Sequence, residues 1–134
     1  MTVMKRLQMI LLSALFLTGC AASQSNTQGD TAYRQIGMQE AIRIMNEETG
    51  YIILDVRRVD EFAAGHIPGA INIPNESIGT DAIPELPDKD QLILVYCRSG
   101  NRSKQASKKL VDLGYTNIVE FGGILDWPGE TVTN

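Results

Sequence analysis

Leu92-Ile93-Leu94-Val95-Tyr96-Cys97-Arg98-Ser99-Gly100-Asn101-Arg102-Ser103 is the stretch on which the reading of this chain turns. Its first five residues form an unbroken apolar run, the pattern of a strand buried on both faces as in parallel sheets. From Ser103 to Leu113 the apolar residues Ala106, Leu110 and Leu113 fall at helical spacing, and Gly114 follows as a cap. A cysteine is therefore placed where a buried strand ends, a tight loop turns and a helix begins. Helix N-termini and convergent backbone N–H groups favour negative charge. A thiol held there ionises below its ordinary value of about 8.5. Cys97 is thus expected to be a reactive thiolate. The plainer alternative is a strand-end cysteine that only packs. Two arginines, a glycine and the helix start argue against it.

Working outward, the rest of the chain repeats the alternation of strand and helix. Tyr33 to Ile36 reads as a short strand and Met38 to Glu48 as an amphipathic helix ended by Gly50. Tyr51 to Leu54 is a second buried strand, followed by Asp55-Val56-Arg57. Val59 to Ala64 is a short helix, His66 to Gly69 a turn, and Ala70 to Ile73 a strand stopped by Pro74. Residues 75–90 read as loop with one helical turn. Asn117 to Phe121 is a last strand, before Gly122-Gly123 and a helical turn at Leu125 to Trp127. This order predicts a three-layer α/β/α domain with a mainly parallel central sheet. Ligands in such sheets bind beyond the carboxyl ends of the strands, where Asp55 and Cys97 both fall.

The 134 residues suffice for one domain, with 43% hydrophobic and 21% charged residues. Lys5 and Arg6 precede an apolar run of 11, Leu7 to Leu17, interrupted only by Gln8 and Ser13. That run is shorter than the roughly 20 residues of a membrane-spanning helix. Positive start, apolar middle and small-residue end are the parts of a secretory signal. Leu17-Thr18-Gly19-Cys20 resembles the bacterial lipobox. The resemblance implies cleavage before Cys20 and diacylglycerol attachment to its thiol; the competing reading is an uncleaved anchor helix. The expected organisation is a signal peptide over 1–19, a lipidated Cys20 with a polar tether to 32, and a domain over 33–134. Lipid anchoring places the domain outside the cytoplasm. In a two-membrane cell Ala21, by analogy with lipoproteins, favours the periplasmic face of the outer membrane; otherwise the cell surface is expected. Past position 20, ten basic residues face 16 acidic ones, a net charge of −6. That argues against nucleic acid as a partner and requires any anion site to be local.

Four segments, in order, resemble a single-domain rhodanese, a sulfurtransferase homology domain. They are Leu54-Asp55-Val56-Arg57, the run from Glu61 to Pro74 containing Gly65-His66-Ile67-Pro68-Gly69-Ala70, the run Val95 to Ser103, and Gly122-Gly123-Ile124-Leu125-Asp126-Trp127. They span residues 33–130. The resemblance implies that Cys97 takes the sulfane sulfur of thiosulfate or a similar donor as a persulfide. It then passes that sulfur to a thiol or cyanide. The N–H groups of residues 98 to 102, across Arg98, Ser99, Gly100, Asn101 and Arg102, are expected to cradle the sulfur, with Ser103 closing the loop. Arg57 and Arg98 are expected to add positive charge at the mouth. Arg102 is expected to meet the substrate anion or brace the loop against Asp55, the loop-positioning carboxylate. No cofactor and no metal are implied, and a monomer is expected. Related phosphatases and arsenate reductases place five residues between cysteine and arginine. Here four separate Cys97 from Arg102, a tighter loop that suits sulfur and leaves those activities a minor alternative.

The remaining candidates read as structural. His66, the only histidine, is a turn hydrogen-bonder before it is a base. Asp60 and Glu61 are charges at a helix N-terminus, Trp127 is a core or edge aromatic, and Lys104, Lys108 and Lys109 are a solvated helix face. A relay or partner-binding module without small-molecule turnover is the principal alternative function. A thiol-redox role lacks a resolving cysteine, since Cys20 is consumed by lipid; otherwise a Cys20–Cys97 disulfide competes.

Overall fold

The computed structural model describes residues 33–133. The expected signal peptide, Cys20 lipid site and tether fall on residues outside them. Five strands form one parallel sheet: β1 (Arg34–Gln35), β2 (Ile52–Asp55), β3 (Ile71–Asn72), β4 (Ile93–Cys97) and β5 (Ile118–Gly123), in the order β1-β5-β4-β2-β3. Three helices cross between them: α1 (Met38–Glu47), α2 (Val59–Ala64) and α3 (Asn101–Asp112). Two 3-10 turns, Asn75–Ser77 and Ile124–Asp126, complete the elements. The expected three-layer α/β/α architecture is the one observed, and the sheet is parallel throughout.

Alternation along β4 makes two cores. Ile93, Val95 and Cys97 face α3 with Leu54, Ala106, Leu110 and Ile118. Leu94 and Tyr96 face α1 with Ile53, Ala41, Ile44, Val119 and Phe121. All five residues of β4 are buried, which is why its sequence is continuously apolar. The edge strands β1 and β3 are two residues each, shorter than the apolar runs from Tyr33 and Ala70 suggest. Edges carry little burial, so only the paired residues hold strand geometry.

From β2 the chain crosses through α2 to β3 on one side. It returns to β4 on the other and continues through α3 to β5. The switch point between β2 and β4 opens the carboxyl ends of both strands, where Asp55 pairs in register with Tyr96. The β4–β5 ladder is bulged there: Val95 aligns with Glu120 but Cys97 aligns with Gly123. The extra residue on β5 bends its end under the loop that leaves β4. Gly123 lies so close that any Cβ on it would overlap the carbonyl group of Arg98. Leu125 N–H donates to that carbonyl oxygen at 3.2 Å. Gly123→Ala forces the loop off this seat. It is expected to lower the unfolding free energy by on the order of 3 kcal/mol, as over-packing does. Urea denaturation checks this, and an unchanged midpoint contradicts it.

Candidate active site

Cys97 is 1% exposed and ends β4. Gly100 stands before α3 with φ 113°, a left-handed conformation open to glycine, and this turn aims its N–H back at the sulfur. Gly100 N–H donates to Cys97 Sγ at 3.0 Å, and Ser103 Oγ lies 3.4 Å from the same atom. Burial pushes the thiol pKa up. The Ser103 hydroxyl and the backbone N–H groups of Ser103, Gly100 and Ser99 outweigh it and bring the pKa below the ordinary value. The helix starts at Asn101, two residues before the sequence expectation. The loop between strand and helix is accordingly only Arg98-Ser99-Gly100. Arg98, Ser99 and Asn101 are exposed, and Arg102 is half-buried.

Of the three basic residues expected to act at this site, Arg57 and Arg102 are otherwise committed and Arg98 is not. Arg57 is 6% exposed and does not project there. Its Nε and Nη2 donate to Asp55 at 3.0 and 2.7 Å, and Nη2 also donates to the Gly65 carbonyl at 2.7 Å. Asp55 in turn accepts the Arg57 backbone N–H at 2.9 Å. Asp55 therefore shapes the loop after β2, not the loop after β4. Arg102 does not reach Asp55. It forms a two-pronged pair with Glu61 of α2, Nη1 to Oε1 at 2.6 Å and Nη2 to Oε2 at 3.1 Å. Arg98 makes no ion pair among the described residues and is the uncommitted cation of the loop.

Two carboxylates matter to this site in ways the sequence reading missed. Glu61 reads as helix N-terminal charge, and it does accept the Arg58 backbone N–H at 3.3 Å. Its pairing with Arg102, across 41 positions, is a tertiary fact. Glu120 is buried in β5, and its Oε1 accepts Ser103 Oγ–H at 2.7 Å and Gly122 N–H at 2.8 Å. The available signal was a carboxylate within an apolar strand run, Ile118-Val119-Glu120-Phe121. His66 is structural: its Nδ1–H donates to the Phe62 carbonyl at 2.8 Å, and its ring stacks on Phe62. Trp127 packs half-buried against the α1-side core. A groove lined by Ile78, Thr80, Lys109 and Leu113 lies at the far end of α3 from Cys97.

Glu61 carries a pH consequence. The Arg102 hydrogen bonds hold its carboxyl down at about 2 from an ordinary 4.5. A depressed folded-state pKa gives stability that is complete above 4.5 and lost as the pH falls toward 2. Across that window Glu61→Gln is expected to lose less stability than the wild type. Urea midpoints measured at several pH values check it, and parallel losses contradict it.

Residues 20–130 match the family described as the rhodanese-like domain. Thiosulfate sulfurtransferase PspE of Escherichia coli is 37% identical over 73 residues, 54% of this chain and 70% of its own length. Thiosulfate sulfurtransferase GlpE of Pseudomonas entomophila is 36% identical over 104 residues, 74% of this chain and 92% of its own. The adenylyltransferase and sulfurtransferase UBA4 of Meyerozyma guilliermondii is 39% identical over 92 residues, but this chain spans only 22% of its length. Among solved structures, a rhodanese with anions from E. coli is 33% identical with TM-score 0.57, covering 63% of this chain and 99% of its own. A rhodanese-like domain from Anabaena sp. is 28% identical with TM-score 0.67, covering 75% and 79%. Together with the cysteine loop at the end of β4, these similarities establish that the chain belongs to the rhodanese-like domain family, as an enzyme of sulfur transfer or sulfur relay.

Proposed function

We propose that the protein moves a sulfane sulfur from thiosulfate, or another donor of persulfide type, to a thiol or cyanide through a persulfide on Cys97. The observation that carries the reading is the sulfur itself, hydrogen-bonded by Gly100 N–H at 3.0 Å at the mouth of a parallel sheet. In the first half-reaction the Cys97 thiolate attacks the outer sulfur of thiosulfate. A new S–S bond forms, the old one breaks, and sulfite leaves with the electron pair. The persulfide carries the negative charge beside the N–H groups of Ser99, Gly100 and Ser103, which stabilise it without reorganisation. In the second half-reaction the acceptor takes the outer sulfur and the thiolate returns. Exposed Arg98 supplies the positive charge that a dianionic donor meets on approach. A relay that hands sulfur to a protein thiol uses the same intermediate and differs only in its acceptor.

The proposal extends to location: the chain acts outside the cytoplasm, held to a membrane by lipid on Cys20. Lys5, Arg6, the Leu7–Leu17 run and Leu17-Thr18-Gly19-Cys20 support it. One experiment reads both parts. The intact mass of the chain recovered from bacterial membranes is expected to show a diacylglycerol-modified Cys20 at the new N-terminus. After thiosulfate treatment it is expected to gain one sulfur atom, which cyanide removes and Cys97→Ser abolishes. An unmodified, uncleaved N-terminus contradicts the anchor. No gain at a reduced, accessible Cys97 contradicts thiosulfate as donor and favours the partner-binding module.

A further inference from the structure

Glu120 is 3% exposed on the interior strand β5, between β1 and β4. Strand alternation points its side chain to the α3 face, with Ile118 before it and Val95 across from it, where an apolar residue is expected. A buried carboxylate is costly unless a cation pairs with it. Among the described residues Glu120 has no such partner. The other charges around the sulfur are closed on one another or face water. Arg102 of α3 is held by Glu61 of α2, Arg57 is held by Asp55 beyond β2, and Arg98 of the loop is exposed. Glu120 is the buried charge that remains, and one hydroxyl, Ser103 Oγ, stands between it and Cys97 Sγ.

That hydroxyl has a single hydrogen to give. Three acceptors compete for it, Glu120 Oε1 at 2.7 Å, the Gly100 carbonyl at 2.9 Å and the Gly122 carbonyl at 3.4 Å, and the Cys97 sulfur, whose own S–H points to Ser103 Oγ at 3.4 Å, becomes a fourth once it is a thiolate. The carboxylate is both the nearest and the one whose charge strengthens the bond. We propose that Glu120 is a positioning residue of the sulfur-transfer reaction: it holds the Ser103 hydrogen away from Cys97 and so keeps the thiolate strongly nucleophilic. The backbone N–H groups make the thiolate available, and Glu120 limits how far it is quenched. The attack on a sulfane sulfur needs that balance, because thiolate nucleophilicity falls as the thiol becomes more acidic. A purely structural role competes with this one, since Glu120 also accepts the Gly122 N–H freed by the β5 bulge.

The inference rests on Cys97 being the nucleophile, and its test does not use sulfur transfer. Thiolate absorbance and alkylation by iodoacetamide, a neutral probe, are followed against pH in the full chain. The Cys97→Ser chain supplies the baseline for Cys20. Glu120→Gln keeps an acceptor oxygen for Gly122 and Ser103 but removes the charge. Its Cys97 titration midpoint is expected to move to lower pH. Each unit of that shift is expected to slow the alkylation plateau about threefold, given a Brønsted slope of about 0.4–0.5. Glu120→Met, which suits the apolar core around it, is expected to shift further in the same direction and serves if the glutamine variant does not fold. In a Ser103→Ala background the shift produced by Glu120→Gln must shrink. An unmoved or raised midpoint in a folded variant, or an undiminished shift without the Ser103 hydroxyl, overturns the assignment. If thiosulfate delivers no sulfur to Cys97 while these shifts appear, the donor proposed above fails and Glu120 keeps its role.

Discussion

Everything at this site depends on how the fold favours negative charge on a sulfur at the buried end of β4. Burial alone opposes the charge, and the nearby cations are not what offsets it. Arg57 is spent on Asp55 and Arg102 on Glu61. The offset comes from the backbone N–H groups of Ser99, Gly100 and Ser103, and from the share of the Ser103 hydroxyl hydrogen that Glu120 leaves to the sulfur. Such donors are fixed in direction by the fold. They act without the rearrangement that water or a mobile side chain requires.

The surrounding structure is arranged to keep that loop still. The β5 bulge brings Gly123 against the Arg98 carbonyl, and Leu125 N–H ties the same oxygen. The Glu61–Arg102 pair joins α2 to the first turn of α3. On the β2 side, Asn72 donates to the carbonyls of Asp55 and Arg57 at 2.9 Å each, so the neighbouring strand end is rigid as well. The ion pairs therefore serve geometry. Arg102 nonetheless sits within the field of Cys97, which adds to the hydrogen bonds of Glu61 in raising its own pKa.

Much of this was legible in the sequence, for physical reasons that differ by element. β4 and β2 announce themselves because strands buried on both faces need continuous apolar runs, and α3 because Ala106 and Leu110 must meet the sheet. The loop is visible because cysteine, glycine and helix start occur together. The charge partners were not visible. Arg57 sits two residues from Asp55, yet a sequence does not say whether such a pair closes on itself or opens to solvent; burial at 6% exposure decides it. Arg102 finds Glu61 because the first turns of α2 and α3, from opposite faces of the sheet, meet beyond the carboxyl ends of β2 and β4, and no local pattern encodes that. Glu120 was hidden inside a strand run whose neighbours are all apolar, since periodicity records the face and not the reason for an exception. The proposed lipid signal rests on its own residues, which precede the domain in sequence.

The central claim is that sulfur passes through Cys97 in two separate steps. Steady-state kinetics tests it most directly, with thiosulfate varied at several fixed cyanide concentrations. A covalent intermediate that releases sulfite before the acceptor binds predicts ping-pong behaviour, with parallel double-reciprocal lines. Lines that intersect to the left of the ordinate show donor and acceptor bound together before transfer, and contradict the account.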